Sequence, residues 1–184
     1  MHLRSRRPFA AIALVIALAL AATGAAVAAA TATSPTGGTI HIFGVSKGLG
    51  GGGSALLTGA IGDHGKSASV TKTGKPSANG SYVKLTLTQG DILLNQSKLN
   101  AKANHAFNHL VLNPSTCSTF VSASAALPIV SGTGLYATIS GSAHVTVSVG
   151  FILPKLSSGK CNTSNSSNPT ASQQIVYGTG NVSF

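Results

Sequence analysis

The chain has 184 residues and a pI near 10.2, with Lys+Arg 12 against Asp+Glu 2 and no tryptophan. All three arginines lie within the first seven residues, so nine lysines face only Asp63 and Asp91 in the remainder. The lysines are scattered from Lys47 to Lys160, with no arginine fork for bidentate phosphate contacts and no aromatic-rich stacking motif, which argues against nucleic acid as a partner. A solvated cationic exterior is the simpler reading, with weak attraction to anionic cell-wall polymers or headgroups as its consequence.

Taken in chain order, His2, Arg4, Arg6 and Arg7 form a basic opening, and Phe9 to Ala22 is an uncharged apolar run. Small-x-small sites follow at Ala26-Val27-Ala28, Ala28-Ala29-Ala30 and Ala30-Thr31-Ala32. The apolar run is too short to span a ~30 Å hydrocarbon core as a helix. Residues 1–32 are therefore read as a cleaved export signal of bacterial type, with no membrane span after cleavage and a secreted product. Ser5-Arg6-Arg7-Pro8-Phe9 resembles the twin-arginine export consensus, whereas the strongly apolar core favours the Sec route; both stay open. About 150 residues remain, enough for one domain with a real core.

Residues 33–38 read as a flexible leader, and 39–184 as a single domain. Thr39 to Val45 is the first strand, followed by the glycine-rich stretch Gly48 to Ser54, which lacks the Gly-Lys-Ser/Thr of a phosphate loop. Ala55 to Ile61 and Lys66 to Lys72 read as strands around Gly62-Asp63-His64-Gly65, and Thr73 to Gly80 as a turn segment. In Tyr82 to Thr88 a strict period of two sets Val83, Leu85 and Leu87 on one face and Tyr82, Lys84 and Thr86 on the other. Gln89-Gly90-Asp91 turns the chain into a partner strand, Ile92 to Leu99. Asn100 to Asn108 can hold a helical turn. Thr116 to Ala126 is strand-like until Pro128 breaks it at an edge or bulge. Leu135 to Ser140 and Ala143 to Leu153 read as strands, the second with Val145, Val147 and Val149 on one face. Ser157 to Ser172 is a long polar loop, and Gln173 to Tyr177 and Asn181 to Phe184 close the domain.

No window after residue 32 holds a sustained 3.6-residue apolar pattern. About nine short strands with frequent turn signals predict an all-β fold, a single antiparallel β-barrel of about eight strands, with a β-sandwich as the alternative. Cys117 and Cys161 are the only cysteines, and the exported compartment allows them to pair. They lack the C-x-x-C spacing of a zinc site.

From Val130 to Ala143 the chain reads Val-Ser-Gly-Thr-Gly-Leu-Tyr-Ala-Thr-Ile-Ser-Gly-Ser-Ala, which resembles the dirigent and allene-oxide-cyclase-like barrels in its Gly-Thr-Gly, any residue, aromatic pattern before a further Gly and a strand. Gly178-Thr179-Gly180-Asn181-Val182 extends the likeness weakly. The resemblance implies an eight-stranded antiparallel barrel with an apolar lumen, often trimeric, with Gly132 and Gly134 at positive φ and Tyr136 as a packed ring. Dirigent proteins are associated with acidic and arginine residues in the lumen. The chain beyond residue 32 has neither arginine nor glutamate, so the likeness carries the fold and not the activity.

Candidate chemistry is sparse. Asp63 and Asp91 each sit beside a glycine, where a short side chain caps its own turn, rather than as a paired-carboxylate centre. His105 and His109 share a side at a spacing of four, a permitted metal spacing, but with Asn104 and Asn108 they read as a polar surface segment. No Gly-x-Ser-x-Gly elbow is present. These readings predict no catalytic residue, no metal and no cofactor. The leading expectation is an exported barrel without catalysis of its own that binds a small apolar ligand or acts as an extracellular interaction module. Tyr82, Val83, Leu85, Leu87, Tyr136 and Val147 are its candidate ligand-binding residues, the tyrosines near a rim. The alternative is a cyclase- or isomerase-type enzyme whose apolar lumen enforces a substrate conformation.

Overall fold

The computed structural model of the protein describes residues 35–47, 52–164 and 167–184. The export signal predicted over 1–32, the start of the leader and the glycine run at 48–51 lie outside these residues. Eight strands follow one another: β1 (Gly38–Lys47), β2 (Gly52–Gly59), β3 (Asp63–Val70), β4 (Tyr82–Leu87), β5 (Asp91–Asn95), β6 (Ser118–Gly132), β7 (Ser140–Ile152) and β8 (Ala171–Ser183). Each pairs antiparallel with the next, and β8 pairs back onto β1, so the sheet is a closed barrel. Closure removes both sheet edges. One helix, α1 (Ser97–Asn108), and one 3-10 turn, Gly134–Tyr136, complete the described elements.

Strand alternation decides what fills the interior. From β1, Ile40 and Ile42 are buried inside, from β4 Leu85 and Leu87, from β5 Ile92 and Leu94, and from β7 Ala143, Val145 and Val149. Each such valine, leucine or isoleucine contributes about 1.5–3 kcal/mol relative to exposure. The outward positions carry hydroxyls and lysines over much of the wall. Ser122 meets Ser148 at 3.1 Å, Ser124 meets Thr146 at 2.7 Å, and Lys84 pairs with Asp91 at 3.6 Å. The wall of β2, β1 and β8 departs from this pattern. There Leu56, Phe43 and Tyr177 lie in one cross-strand row, with Val45 and Ile175 paired beside it, and all five are about half exposed.

Four elements differ from the sequence reading. The predicted strand Ile92 to Leu99 stops at Asn95, whose Oδ1 accepts from the Ser97 backbone N–H at 2.9 Å and hydroxyl at 2.7 Å, turning the chain into α1. Where the sequence allowed a helical turn within 100–108, the chain forms a 12-residue helix that begins at Ser97. Leu135 to Ile139 is not a strand: the 3-10 turn Gly134–Tyr136 opens the stretch, made accessible by Gly134 at φ 59°, and β7 begins only at Ser140. Gly132 is not at positive φ; a Cβ there would collide with the Tyr136 carbonyl oxygen. The two closing segments are one strand, β8, in which Gly178 and Gly180 face inward where a Cβ would collide with β7. Pro128 stands inside β6, exposed and opposite Ser142, close to a register shift between β5 and β6. With eight strands instead of nine, the barrel reading holds.

Cys117 and Cys161 form a disulfide, with Cα atoms 5.4 Å apart. It ties the entry of β6 to the loop between β7 and β8. Cys117 is fully buried and holds φ 56°, a left-handed conformation that costs a non-glycine residue about 1–2 kcal/mol. Hydrogen bonds from its N–H to the Asn113 carbonyl (2.8 Å) and to its carbonyl from Leu153 N–H (2.9 Å) fix that geometry. Among the described residues no helix is long and apolar enough to cross a membrane.

Candidate functional site

The barrel has two unlike ends. One gathers the β2–β3, β4–β5 and β6–β7 connections and is sealed. Asp63 opens β3 with its carboxylate turned inward, 4% exposed. Oδ1 accepts from the His64 N–H (2.7 Å), the Thr88 N–H (3.2 Å) and the Thr88 hydroxyl. Oδ2 accepts from the Gln89 N–H (3.0 Å) and the Tyr136 hydroxyl (2.7 Å). Burial alone raises this carboxyl, but the hydroxyls of Thr88 and Tyr136 and the N–H groups of His64 and Gln89 outweigh it, holding it at about 2. Burial, followed by the hydrogen bond and charge of Asp63, pushes the Tyr136 phenol well above its ordinary range. Ile61, Ile139 and Val182 pack this end, and the Phe184 ring lies 6.4 Å from that of Tyr136.

Asp63 is thus more than a cap on its own turn: it clamps three connections together. Asp91 lies on the outer wall beside Lys84, so the two carboxylates share no cleft.

The opposite end is hollow. A cavity of about 90 Å³ runs into the lumen, lined by Ile42, Ala55, Leu85, Leu127 and Val145 among others. Beside it lies a second cavity of about 530 Å³ between α1 and the barrel mouth, lined on the helix side by Ala103, Asn104 and Phe107 and on the barrel side by Val121, Ala123 and Val149. Ser69, Gln96, Leu99, Val147 and Gln174 border both and form the neck. The larger volume lies within the ~300–1,000 Å³ of ordinary small-molecule pockets.

Local sequence builds this mouth. Leu99, Ala103 and Phe107 recur at helical spacing and give α1 one apolar side, which meets the barrel; the Phe107 ring stacks 6.2 Å from Phe151. Lys98, Lys102, His105 and His109 are exposed, and the two histidine rings stand 4.5 Å apart. Gln96 holds the helix entry, its Nε2 donating to Ser69 Oγ (3.2 Å) and to the carbonyls of Gly80 (3.0 Å) and Tyr82 (3.2 Å). Asn100 Nδ2 adds a bond to Gly80 O at 3.0 Å.

Of the residues singled out from sequence, Val83, Leu85 and Val147 line the hollow end. Leu87 is buried core and borders neither cavity. Tyr136 is buried at the sealed end, its hydroxyl bound to Asp63, and is not a rim residue. Tyr82 points to the outer side of β4, opposite to Val83, and contributes its carbonyl to Gln96. Sequence reasoning missed Ser46, Gln96, Leu99, Phe107 and Gln174. The inward parity of Ile40, Ile42, Gly44 and Ser46 was the signal available for the first of these.

Among the described residues no aspartate, lysine, histidine or tyrosine lines either cavity; the polar lining is serine, asparagine and glutamine. Such groups orient a guest by hydrogen bonds and do not exchange protons near neutrality. Among the described residues no cluster of His, Cys, Asp and Glu is arranged to hold a metal ion. No family model, curated protein or solved structure matches the chain.

Proposed function

We propose that this protein is an exported barrel that binds a small, largely apolar ligand at its hollow end. The observation that carries the reading is a pair of neighbouring cavities with shared lining residues, one inside the lumen and one under α1, walled by aliphatic and uncharged polar side chains. The export signal read in residues 1–32 and the disulfide both fit an extracellular setting. The cationic exterior would add weak attraction to anionic wall polymers, concentrating the protein near the surface that releases it.

Native mass spectrometry of the protein purified from the medium of its producing cell tests this directly. The expected result is a folded species carrying a co-purifying or added apolar small molecule, released when Val147→Phe fills the neck. A protein that takes up no apolar probe at millimolar concentration contradicts it. A second reading, an interaction module that assembles as a homo-oligomer, is favoured by the exposed row of Leu56, Phe43 and Tyr177 with Val45 and Ile175. The same spectra report it as a multiple of the single-chain mass.

A further inference from the structure

Beside the neck, the lumen cavity contains a hydroxyl that the fold itself does not use. Ser46 faces inward from β1, is 8% exposed, and lines the lumen cavity. Its Oγ has no hydrogen-bond partner among the described residues. A buried hydroxyl without a partner costs stability, whereas alanine would occupy the same place without that loss. Space is tight there for a reason: a Cβ on Gly53, the neighbour across the sheet, would come within 2.9 Å of Ser46 Cβ.

Ser46 is not alone. Its partner across β1 and β8 is Gln174, which borders both cavities and whose amide makes no hydrogen bond among the described residues. Gly53 pairs with Ser67, and Ser69 receives the Gln96 amide, so Gln174, Ser46, Ser67, Ser69 and Gln96 form a polar arc on one side of the neck. Val147 and Leu99 border the neck with them, and Leu85, Leu127 and Val145 line the lumen. This arc carries no charge. A carboxylate or ammonium guest entering here would lose its water without meeting a counter-ion among the described side chains that line it.

Resting on the apolar-ligand reading above, we infer that the guest is an electrically neutral amphiphile: an apolar tail enters the lumen, and a single hydroxyl- or carbonyl-type group seats against Ser46 beside the neck. The remainder of the molecule lies in the wider cavity under α1, where Asn79, Asn100 and Asn104 offer further uncharged partners.

The test is a matched pair of probes on a matched pair of proteins. 1-Decanol and decanoate at pH 8 are titrated calorimetrically into the secreted protein and its Ser46→Ala variant, and the thermal midpoint of each protein is measured without ligand. The expected result is decanol binding at least tenfold tighter than decanoate to the native protein. Ser46→Ala should weaken decanol about fivefold, the effect of one hydrogen bond, while raising the ligand-free midpoint by about 2–6 °C. Opposite signs in affinity and stability distinguish a ligand contact from a structural one. If Ser46→Ala binds decanol as tightly as the native protein, or decanoate binds as tightly as decanol, the inference is overturned while the apolar pocket stands. If neither probe binds the native protein, the pocket reading falls and takes the inference with it.

Discussion

At the sealed end a buried carboxylate is surrounded by donors until every lone pair has a use, and aliphatics fill the rest. At the hollow end a buried hydroxyl and a half-buried amide have no partner among the described residues, and aliphatics stand around empty volume. Both ends are made from the same strands, so the contrast comes from what caps them. Short connections bring Thr88, Gln89 and Tyr136 onto Asp63. The longer β5–β6 connection lays α1 across the other mouth without plugging it. A polar group that is fully satisfied holds a structure together, while one left unsatisfied is available to something from outside.

The largest effect expected from perturbing this contrast concerns how the hollow end is kept open. Replacing Cys117 and Cys161 by serine removes a cross-link over a loop of about 45 residues and should lower unfolding stability by about 4 kcal/mol in urea titrations, provided both proteins unfold in one step. At the sealed end, Asp63→Asn replaces a carboxylate that takes five hydrogen bonds with a group able to accept about half of them, for a loss of about 3 kcal/mol. Ligand affinity should stay within about twofold in that variant, because nothing at Asp63 borders either cavity. A comparable loss of binding would erase the distinction between the ends.

A pH series sharpens the comparison further. Asp63 is held at about 2, below the ordinary aspartate value of 3.8, so its contribution is complete above about pH 4 and is lost as the pH falls toward 2. About 2 kcal/mol of stability should disappear across that window, and Asp63→Asn should flatten it. Tyr136, whose proton is held more tightly folded than unfolded, has the opposite sign: its contribution is complete below about pH 10 and declines as the pH rises beyond. Ligand binding by the uncharged neck should be flat between pH 5 and 9, measured by the same calorimetry. The smallest stability change is expected for Val147→Phe, about 1 kcal/mol at the low end of overpacking costs because the extra volume enters existing space, although it should cost binding more than tenfold.

How far the sequence anticipated this follows from the kind of signal each region carried. Period-two patterning in β4 and β7 located their inward faces without ambiguity, and Val83, Leu85 and Val147 line the cavity as that pattern required. Patterning is silent about position along the barrel axis. Leu87 is two residues from Leu85 on the same face, yet it lies in the core toward the sealed end, and Tyr136 is at that end too. Helix α1 was half-visible: Leu99, Ala103 and Phe107 repeat correctly, but the intervening asparagines are poor helix formers and blurred its start. Asp63 looked like a turn residue because its partners Thr88 and Tyr136 are distant in sequence, 25 and 73 positions away. Ser46 was marked only as inward-facing by its parity with Ile40 and Ile42, and Gln174 was invisible, since its pairing with Ser46 exists only once β8 closes on β1.

Hydrogen–deuterium exchange, with and without saturating 1-decanol, addresses the difference between the ends most directly. Added protection is expected over residues 44–47, 96–107 and 173–176, which surround the neck, with no change over 60–63, 88–92 and 133–139. Protection centred on the second set, or spread evenly over all eight strands, would contradict a site confined to the hollow end.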